Sequence, residues 1–326
     1  MSYDADTIVD RRRMRRKLTR WRIAAALLAI VAVVGAGVLL RGDANPITGV
    51  SGQIARVNIE GLIRSDRQRT EALDRLGRSS VQAVVVRINS PGGTVAGSEQ
   101  LYESLARLKQ QKPVVIVIDG LAASGGYIAA MAGDHIVAQQ SAIVGSIGVL
   151  FQYPNVSELL GNIGVKVEAV RSSPLKAMPS PTEPSTPESV AAVEALVMDS
   201  YNWFRNLVSE RRKLEGPGLD TVADGRVFTG RQALKLGLID SLGNERTALQ
   251  WLAKTHKIDA DTPVRDYRLD SRLSDLPFLR VATASALDAL GLTAVAGRLE
   301  EWGALQAVGR LNLDGLLALW HPPASN

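Results

Sequence analysis

The chain has 326 residues, 46% of them hydrophobic, and a formal net charge of +5. This length suits one large domain or two small ones, and the lack of cysteine excludes disulfides, thiol catalysis and cysteine metal sites. Residues 1–41 carry nine basic and three acidic side chains, whereas the rest of the chain carries 29 basic and 30 acidic ones. A nearly neutral body argues against binding to nucleic acid, which depends on basic side chains that contact phosphates.

An uncharged apolar run from Ile23 to Leu40 follows a basic tail, residues 1–22. As a helix of 18 residues, rising about 1.5 Å each, it would span roughly 27 Å, close to the thickness of a bilayer core. The basic residues precede the run, so the positive-inside rule predicts a cytoplasmic N-terminus and a body on the extracytoplasmic, or periplasmic, side of the inner membrane. A cleaved signal peptide is the alternative, although its apolar region is usually about 7 to 15 residues long. We therefore expect an uncleaved single-pass anchor in membrane lipid at 23–40, followed by a linker at 41–52.

Strands and helices alternate through the predicted catalytic body, residues 53–257. Unbroken apolar runs, Ala83–Val86 within the predicted strand 81–88 and Val114–Ile118 in the next, are typical of parallel strands that are covered on both faces. Apolar residues at helical spacing predict the helices between them. The predicted strands are 53–60, 81–88, 114–118, 135–138, 143–149 and 165–170, and the predicted helices are 67–77, 96–110, 127–132, 156–163, 188–214, 228–238 and 243–256. This alternation predicts an α/β domain with crossover connections.

The remaining residues, 258–326, form a predicted C-terminal extension. Residues 259–275 are polar and charged, which indicates a loop, and residues 276–320 are rich in Leu and Ala but interrupted by glycine. We expect helices in the second part, either packed on the body or amphipathic and resting on a bilayer.

A serine stands where the predicted strand 114–118 gives way to the predicted helix 127–132. Ser124 is followed by Gly125 and Gly126, which let a substrate backbone approach closely. This arrangement indicates a nucleophile site, and a serine that only caps the helix is the alternative.

A serine nucleophile needs a base. Of the three histidines, His135 begins a predicted strand and the other two lie in polar or terminal settings, so no Ser-His-Asp arrangement stands out. A lysine can serve instead if it is neutral near pH 7, a state that apolar surroundings favour. Lys176 lies in a predicted loop with apolar neighbours on both sides, whereas Lys166 alternates within a predicted strand.

Four motifs, in this order, resemble the signal peptide peptidase A family of membrane-anchored serine proteases in its short, single-repeat form. They are Asn89-Ser90-Pro91-Gly92-Gly93, Ala122-Ala123-Ser124-Gly125-Gly126-Tyr127, Val144-Gly145-Ser146-Ile147-Gly148-Val149 and Gly225-Arg226-Val227-Phe228-Thr229-Gly230. The resemblance covers residues 53–252. It implies a fold of βαβ units similar to that of the Clp protease proteolytic subunit and the crotonases.

The resemblance also implies roles for particular residues. Ser124 matches the nucleophile, Lys176 the general base, and Ser146 a hydroxyl that orients the lysine amine. The backbone N–H groups of Gly93 and Gly125 match the oxyanion hole. The implied activity is that of a serine endopeptidase with a Ser-Lys dyad that degrades cleaved signal peptides and related hydrophobic peptides.

A single set of motifs predicts a closed ring of identical subunits, because longer family members carry two related halves. Ser124 and Lys176 of one site would then come from neighbouring subunits. Two other functions stay open from the residues: a crotonase-like enzyme acting on an acyl-CoA thioester, and a catalytically silent membrane scaffold. The sequence has no metal cluster and no nucleotide-binding loop, so we expect no cofactor, no metal and no nucleic-acid partner.

Overall fold

The structure is a computed structural model that describes Trp21, residues 52–269 and residues 316–320. The chain divides into two units, residues 1–45 and 46–326, and the fold below is that of the second unit. The predicted anchor at 23–40 and most of the predicted tail helices lie outside the described residues. None of the helices that the structure describes is long and apolar enough to cross a membrane.

A nine-stranded sheet organises the described part of the second unit. Its strands are β1 (Ile54–Ile63), β2 (Ala83–Thr94), β3 (Val114–Ala123), β4 (His135–Ala138), β5 (Ile143–Gly145), β6 (Val227–Thr229), β7 (Ser241–Leu242), β8 (Val264–Asp266) and β9 (Leu317–Leu319).

The sheet is mostly parallel. Its main path runs β6-β5-β3-β2-β1-β8, while β4 pairs with both β3 and β7, and β9 pairs with β2. Two pairs are antiparallel, β5 with β6 and β2 with β9, and the other pairs are parallel. This mixed sheet with helical crossovers confirms the predicted α/β class.

Eight helices lie among the described residues. They are α1 (Arg67–Gly77), α2 (Val95–Lys109), α3 (Gly125–Ala130), α4 (Ser157–Asn162), α5 (Pro187–Arg212), α6 (Gly216–Val222), α7 (Gly230–Lys235) and α8 (Glu245–His256). Polar side chains begin several of them: Asp66 accepts a hydrogen bond from the N–H of Arg69 at the start of α1, and Thr94 accepts one from the N–H of Gly97 at the start of α2.

The central strands bury side chains on both faces of the sheet. Val84 and Val86 of β2 join a large cluster that includes Phe204 of α5, whereas Val85 joins a second cluster that includes Leu252 of α8. The unbroken apolar runs of β2 and β3 therefore reflect a sheet that is covered on both sides, as predicted.

Several predicted elements differ from the observed ones. Residues 165–170 form no strand, because no neighbouring strand of the described chain pairs with them, and Val170 is 106% exposed. The predicted strand 143–149 ends at Gly145, where φ becomes 102°. The predicted helix 228–238 begins only at Gly230, after the short strand β6 and with Thr229 as its N-cap.

The described end of the tail is a strand and not the helix that the sequence predicted. Residues Leu317–Leu319 pair with Gly92–Thr94 of β2. Strand β8 likewise joins the edge of the sheet beside β1, so the sheet includes residues on both sides of Lys257.

Candidate active site

Ser124 follows the carboxyl end of β3 and precedes α3. Its backbone angles, φ 55° and ψ −117°, match the first central position of a type II′ turn, where glycine dominates. The backbone N–H of Ser124 donates to the carbonyl of Gly145 at 2.7 Å, and the Ser124 residue is 1% exposed. Its hydroxyl makes no capping hydrogen bond with α3, so helix capping does not account for this serine.

Ser146 stands beside Ser124 at the same edge of the sheet. Ala123 pairs with Gly145 in the parallel β3–β5 ladder, so the two serines follow these strands at the same level. Ser146 also has a positive φ, 53°, and its N–H donates to the carbonyl of Arg226 at 2.8 Å. It is 8% exposed, so both serines are buried.

A glycine turn in the last part of β2, Pro91-Gly92-Gly93, touches the backbone that follows Ser124. A Cβ added at Gly92 would lie 2.7 Å from the Gly125 nitrogen, and one added at Gly125 would lie 3.2 Å from the Gly92 Cα. Gly92 in the turn and Gly125 at the start of α3 both need to be glycine, because the two backbone segments approach each other closely. A Cβ at Gly93 would lie 1.8 Å from the carbonyl oxygen of Ile63, so this position has no room for a side chain either.

Two serines that the sequence analysis did not single out hold this turn. The Ser90 hydroxyl donates to the carbonyl of Gly61 at 2.7 Å and accepts from the N–H of Gly92 at 3.1 Å. The Ser98 hydroxyl donates to the carbonyl of Thr94 at 2.8 Å and would lie 2.2 Å from a Cβ at Gly125. Ser90 belongs to the first motif, whereas no local pattern pointed to Ser98.

Lys176 is not joined to these serines. It lies in an exposed turn, and its backbone N–H donates to the carbonyl of Ser173 at 3.1 Å. Within residues 52–269 and 316–320, no hydrogen bond joins Lys176 to Ser124 or Ser146. The structure therefore brings together Ser124, Ser146 and the glycine turn but not the predicted base.

The segment that carries Lys176, residues 151–186, is held mainly by polar contacts. Arg171 donates two hydrogen bonds to the carboxylate of Glu183, which raises the pKa of Arg171 and lowers that of Glu183. Large apolar side chains in and just after this segment are exposed to solvent: Val156, Leu159, Ile163, Val165, Val167, Val170, Leu175, Val190, Leu196 and Met198. Such a concentration of exposed apolar residues is typical of a surface that contacts another protein or a membrane.

His135 lies too far from Ser124 to act as its base. His135 pairs with Val115 at the beginning of β3, and Ser124 follows the other end of that strand. Nine residues of extended strand separate the two levels by about 30 Å. His135 instead shares a hydrogen bond of 2.9 Å with the Ser241 hydroxyl and stacks on Trp251 with ring centroids 4.9 Å apart, and burial lowers its pKa.

No cluster of three or more His, Asp or Glu side chains in the described parts of the chain is arranged to hold a metal ion. The chemistry that the cluster of Ser124, Ser146 and the glycine turn can support is nucleophilic attack by a hydroxyl, with backbone N–H groups close by to bind an oxyanion.

Comparison with known proteins identifies a family model and relatives that match much of this chain. The model of the family described as "Peptidase family S49" matches residues 106–259, a range that includes Ser124, Ser146 and Lys176. A Synechocystis protein named "Putative protease slr0021" is 37% identical over 76% of this chain and 90% of its own length.

In two further relatives the match covers only part of the relative's own length. "Putative signal peptide peptidase SppA" of Enterococcus faecium is 34% identical over 59% of this chain and 56% of its own length. "Protease 4" of Salmonella typhi is 36% identical over 61% of this chain and 32% of its own length. Among solved structures, a ClpP1 mutant from Listeria monocytogenes matches 59% of this chain and 92% of its own, with a TM-score of 0.41 and 16% identity.

Proposed function

The chain belongs to peptidase family S49, the signal peptide peptidase A family of serine peptidases, and from this we propose that it is a membrane-anchored endopeptidase that cuts cleaved signal peptides and related hydrophobic peptides. The observation that carries the proposal is the position of Ser124, buried at a strained strand-to-helix turn against the glycine turn of β2. We also propose the fold that the resemblance implies, like that of Clp protease and the crotonases, and the mostly parallel sheet with helical crossovers supports it.

In the proposed reaction the Ser124 hydroxyl attacks the carbonyl carbon of a peptide bond while the neutral amine of Lys176 takes the hydroxyl proton. The N–H groups of Gly93 and Gly125 bind the oxygen that becomes negatively charged. Collapse of this intermediate breaks the C–N bond, the lysine returns its proton to the leaving amine, and an acyl ester on Ser124 remains. Water, deprotonated by the same lysine, then hydrolyses the ester and frees Ser124.

Ser146 would orient the lysine amine in this mechanism. Its buried position beside Ser124 at the same edge of the sheet supports the role, since a hydroxyl there can bond to an amine that also reaches Ser124.

The lysine of one site would come from a neighbouring copy of the chain, in a closed ring. Two observations support this part of the proposal. Lys176 makes no hydrogen bond to Ser124 within the described chain, and exposed apolar side chains concentrate between residues 156 and 198, on both sides of Lys176. A second copy that covers this surface would also bury the lysine, which favours the neutral amine that a base needs.

The hydrophobic substrate class is supported by the printed name of the Enterococcus relative and by the apolar run 23–40, which would hold the enzyme at the membrane where such peptides are left. The same run and the basic residues before it support an inner-membrane location with the catalytic domain on the extracytoplasmic side.

The test is peptidase activity of the full chain, purified in detergent, on a fluorogenic peptide taken from a signal-sequence core. We expect Ser124→Ala to lower turnover at least 10³-fold without loss of fold, since removal of a catalytic nucleophile leaves only binding and oxyanion contributions. Ser80→Ala, an exposed serine before β2 and at the opposite end of that strand from the glycine turn, is the matched control and should keep wild-type activity. Wild-type turnover by a folded Ser124→Ala protein would overturn the assignment, and turnover of an acyl-CoA thioester in place of the peptide would favour the crotonase-like alternative.

A further inference from the structure

The peptide group between Gly92 and Gly93 meets little steric resistance to turning over. A Cβ at either position would overlap neighbouring backbone atoms, so both positions require glycine for space. Gly92 has φ 102°, a value that residues with a Cβ rarely adopt. Because neither residue has a Cβ, the peptide group between them is sterically allowed in two opposite orientations. Another contact therefore has to fix the direction in which its N–H points.

This direction matters for the proposed reaction, which uses the N–H of Gly93 to bind the oxyanion. A trans peptide group is planar, and its C=O and N–H point in opposite directions. If the group turned over, the carbonyl oxygen of Gly92 would take the place of the Gly93 N–H. A carbonyl oxygen repels the negative charge that an N–H stabilises.

The Ser90 hydroxyl lies on the carbonyl side of this peptide group. Its Oγ accepts a hydrogen bond from the N–H of Gly92 at 3.1 Å and lies 3.5 Å from the carbonyl oxygen of Gly92. Gly92 thus turns both of its backbone groups toward Ser90 and toward β1, with which it pairs. Since β2 lies between β1 and β3, the N–H of Gly93 points to the side on which Ser124 follows β3.

The Ser90 hydroxyl is itself fixed in direction. It donates to the carbonyl of Gly61 at 2.7 Å, and Ser90 is fully buried. The register between β1 and β2 shifts here, so that Ser90 and Pro91 together face Gly61. A bulge of this kind re-aims a side chain. Because the hydroxyl proton is used on Gly61, the oxygen lone pairs are left to hold the N–H of Gly92.

Ser90 also contacts the backbone that follows the nucleophile. A Cβ added at Gly126 would lie 2.6 Å from the carbonyl oxygen of Ser90 and 3.3 Å from its Cβ. Ser90 therefore packs between the glycine turn and the start of α3. These two segments carry the Gly93 and Gly125 N–H groups of the proposed oxyanion hole.

We propose that Ser90 is a positioning residue for the oxyanion hole, whose hydroxyl keeps the Gly92–Gly93 peptide group from turning over and so keeps the N–H of Gly93 directed at the cleft. The inference rests on the proposed function, because it assigns that N–H to the oxyanion. Ser90 acts through Gly93 and does not touch the substrate. Its loss should therefore weaken binding of the transition state, in which the charge develops, more than binding of the substrate.

The first test is the kinetics of the full chain in detergent on the signal-sequence peptide. Ser90→Ala removes the hydroxyl, and Ser90→Cys keeps a similar shape with a weak donor and acceptor. We expect each variant to lower kcat about tenfold or more, with KM within about twofold of the wild type, since loss of a whole oxyanion donor costs about 10²–10³-fold in kcat. Ser104→Ala is the matched control: it removes another buried hydroxyl, which donates to the carbonyl of Gln100 at 2.8 Å within α2, and should keep the wild-type kcat.

An aldehyde of the same peptide tests the oxyanion site itself. The Ser124 hydroxyl adds to the aldehyde carbon, the C=O becomes a C–O group beside the same N–H donors, and the hydroxyl proton passes to that oxygen. The affinity of the aldehyde should fall in both Ser90 variants by the same factor as kcat/KM, because the adduct resembles the transition state. Ser104→Ala should bind the aldehyde as tightly as the wild type.

The final extent of labelling by a fluorophosphonate counts the intact sites in each preparation, and thermal unfolding checks the fold. Wild-type kcat per intact site in either Ser90 variant, a raised KM with unchanged kcat, or a lowered kcat with unchanged aldehyde affinity would overturn the inference and leave the proposed function intact. If Ser90→Ala does not fold, Ser90→Cys carries the test. The proposed function fails in a different way, through a folded Ser124→Ala protein that still cuts the peptide or a folded wild type that is not labelled.

Discussion

Replacing Ser124 by glycine should stabilise the protein while it destroys activity. The backbone of Ser124, at φ 55° and ψ −117°, lies in a region that costs a residue with a Cβ about 1–3 kcal/mol. Glycine removes this cost but loses about 0.5–1 kcal/mol of additional chain entropy on folding. The net expected gain is about 1 kcal/mol, within a range of about 0–2.5 kcal/mol, and about 1 kcal/mol raises the melting temperature of a domain of this size by about 2–4 °C.

The comparison that isolates strain from chemistry is Ser124→Gly against Ser124→Ala, measured by thermal unfolding of the full chain under identical conditions. Both variants lack the hydroxyl and should be inactive, but only glycine relieves the backbone. Ser104, in the middle of α2, is the matched control: there Ser104→Gly should be less stable than Ser104→Ala by about 1 kcal/mol, because glycine weakens a regular helix. If glycine at 124 is less stable than alanine at 124, Ser124 is not held under strain and the reasoning about its turn is wrong.

Three further predictions concern the base, the assembly and pH. Lys176→Ala should lower peptidase activity at least 10³-fold, whereas Lys166→Ala, which changes another exposed lysine, should keep it. Retained activity in the first variant would exclude Lys176 as the base. Mixing inactive Ser124→Ala and Lys176→Ala proteins should restore part of the activity if one site takes residues from two subunits. No recovery of activity after subunit exchange would show that Ser124 and Lys176 of one site belong to the same chain. The free energy of unfolding, measured in denaturant, should fall as the pH drops below about 6.5, because burial lowers the pKa of His135 in the folded chain and the unfolded chain takes up the proton first. His135→Gln should weaken this pH dependence. An unchanged dependence of the unfolding free energy on pH would exclude His135 as its source.

The central strands and their helices could be predicted because local pattern and burial agree there. The runs Ala83–Val86 and Val114–Ile118 are apolar at every position, and both faces of the sheet are covered in the structure. Helix α1 begins after Asp66 and ends at Gly77, as the sequence predicted, since its cap and its apolar spacing are local features.

The wrong predictions fall where a strand depends on a distant partner. Residues 165–170 alternate in the way of a strand but pair with no strand of the described chain. The segment Leu317–Leu319 has a leucine-rich pattern that suggested a helix, yet it forms a strand because Gly92–Thr94 offers a free edge. Hydrogen bonds between residues so far apart leave no periodic signal in the sequence.

In the candidate site, too, some residues could be predicted from the sequence and others could not. Ser124, Ser146 and the glycine turn were predicted from motifs, and the structure brings them together at one edge of the sheet. Lys176 was also predicted from its place in the chain, but its role stays a prediction because the described chain does not join it to Ser124. The supporting hydroxyl of Ser98 could not be predicted, since it meets Gly125 only through the packing of α2 against α3.

The central claim is that Ser124 attacks the peptide bond, and the most direct measurement is the identification of an acyl group on the enzyme during turnover. The full chain is mixed with an excess of a slowly hydrolysed peptide ester, quenched in acid within seconds and digested for mass spectrometry. We predict an acyl adduct on the fragment that contains Ser124, absent from the Ser124→Ala protein. Hydrolysis that proceeds with no adduct on Ser124, or with an adduct on another residue, would contradict the account.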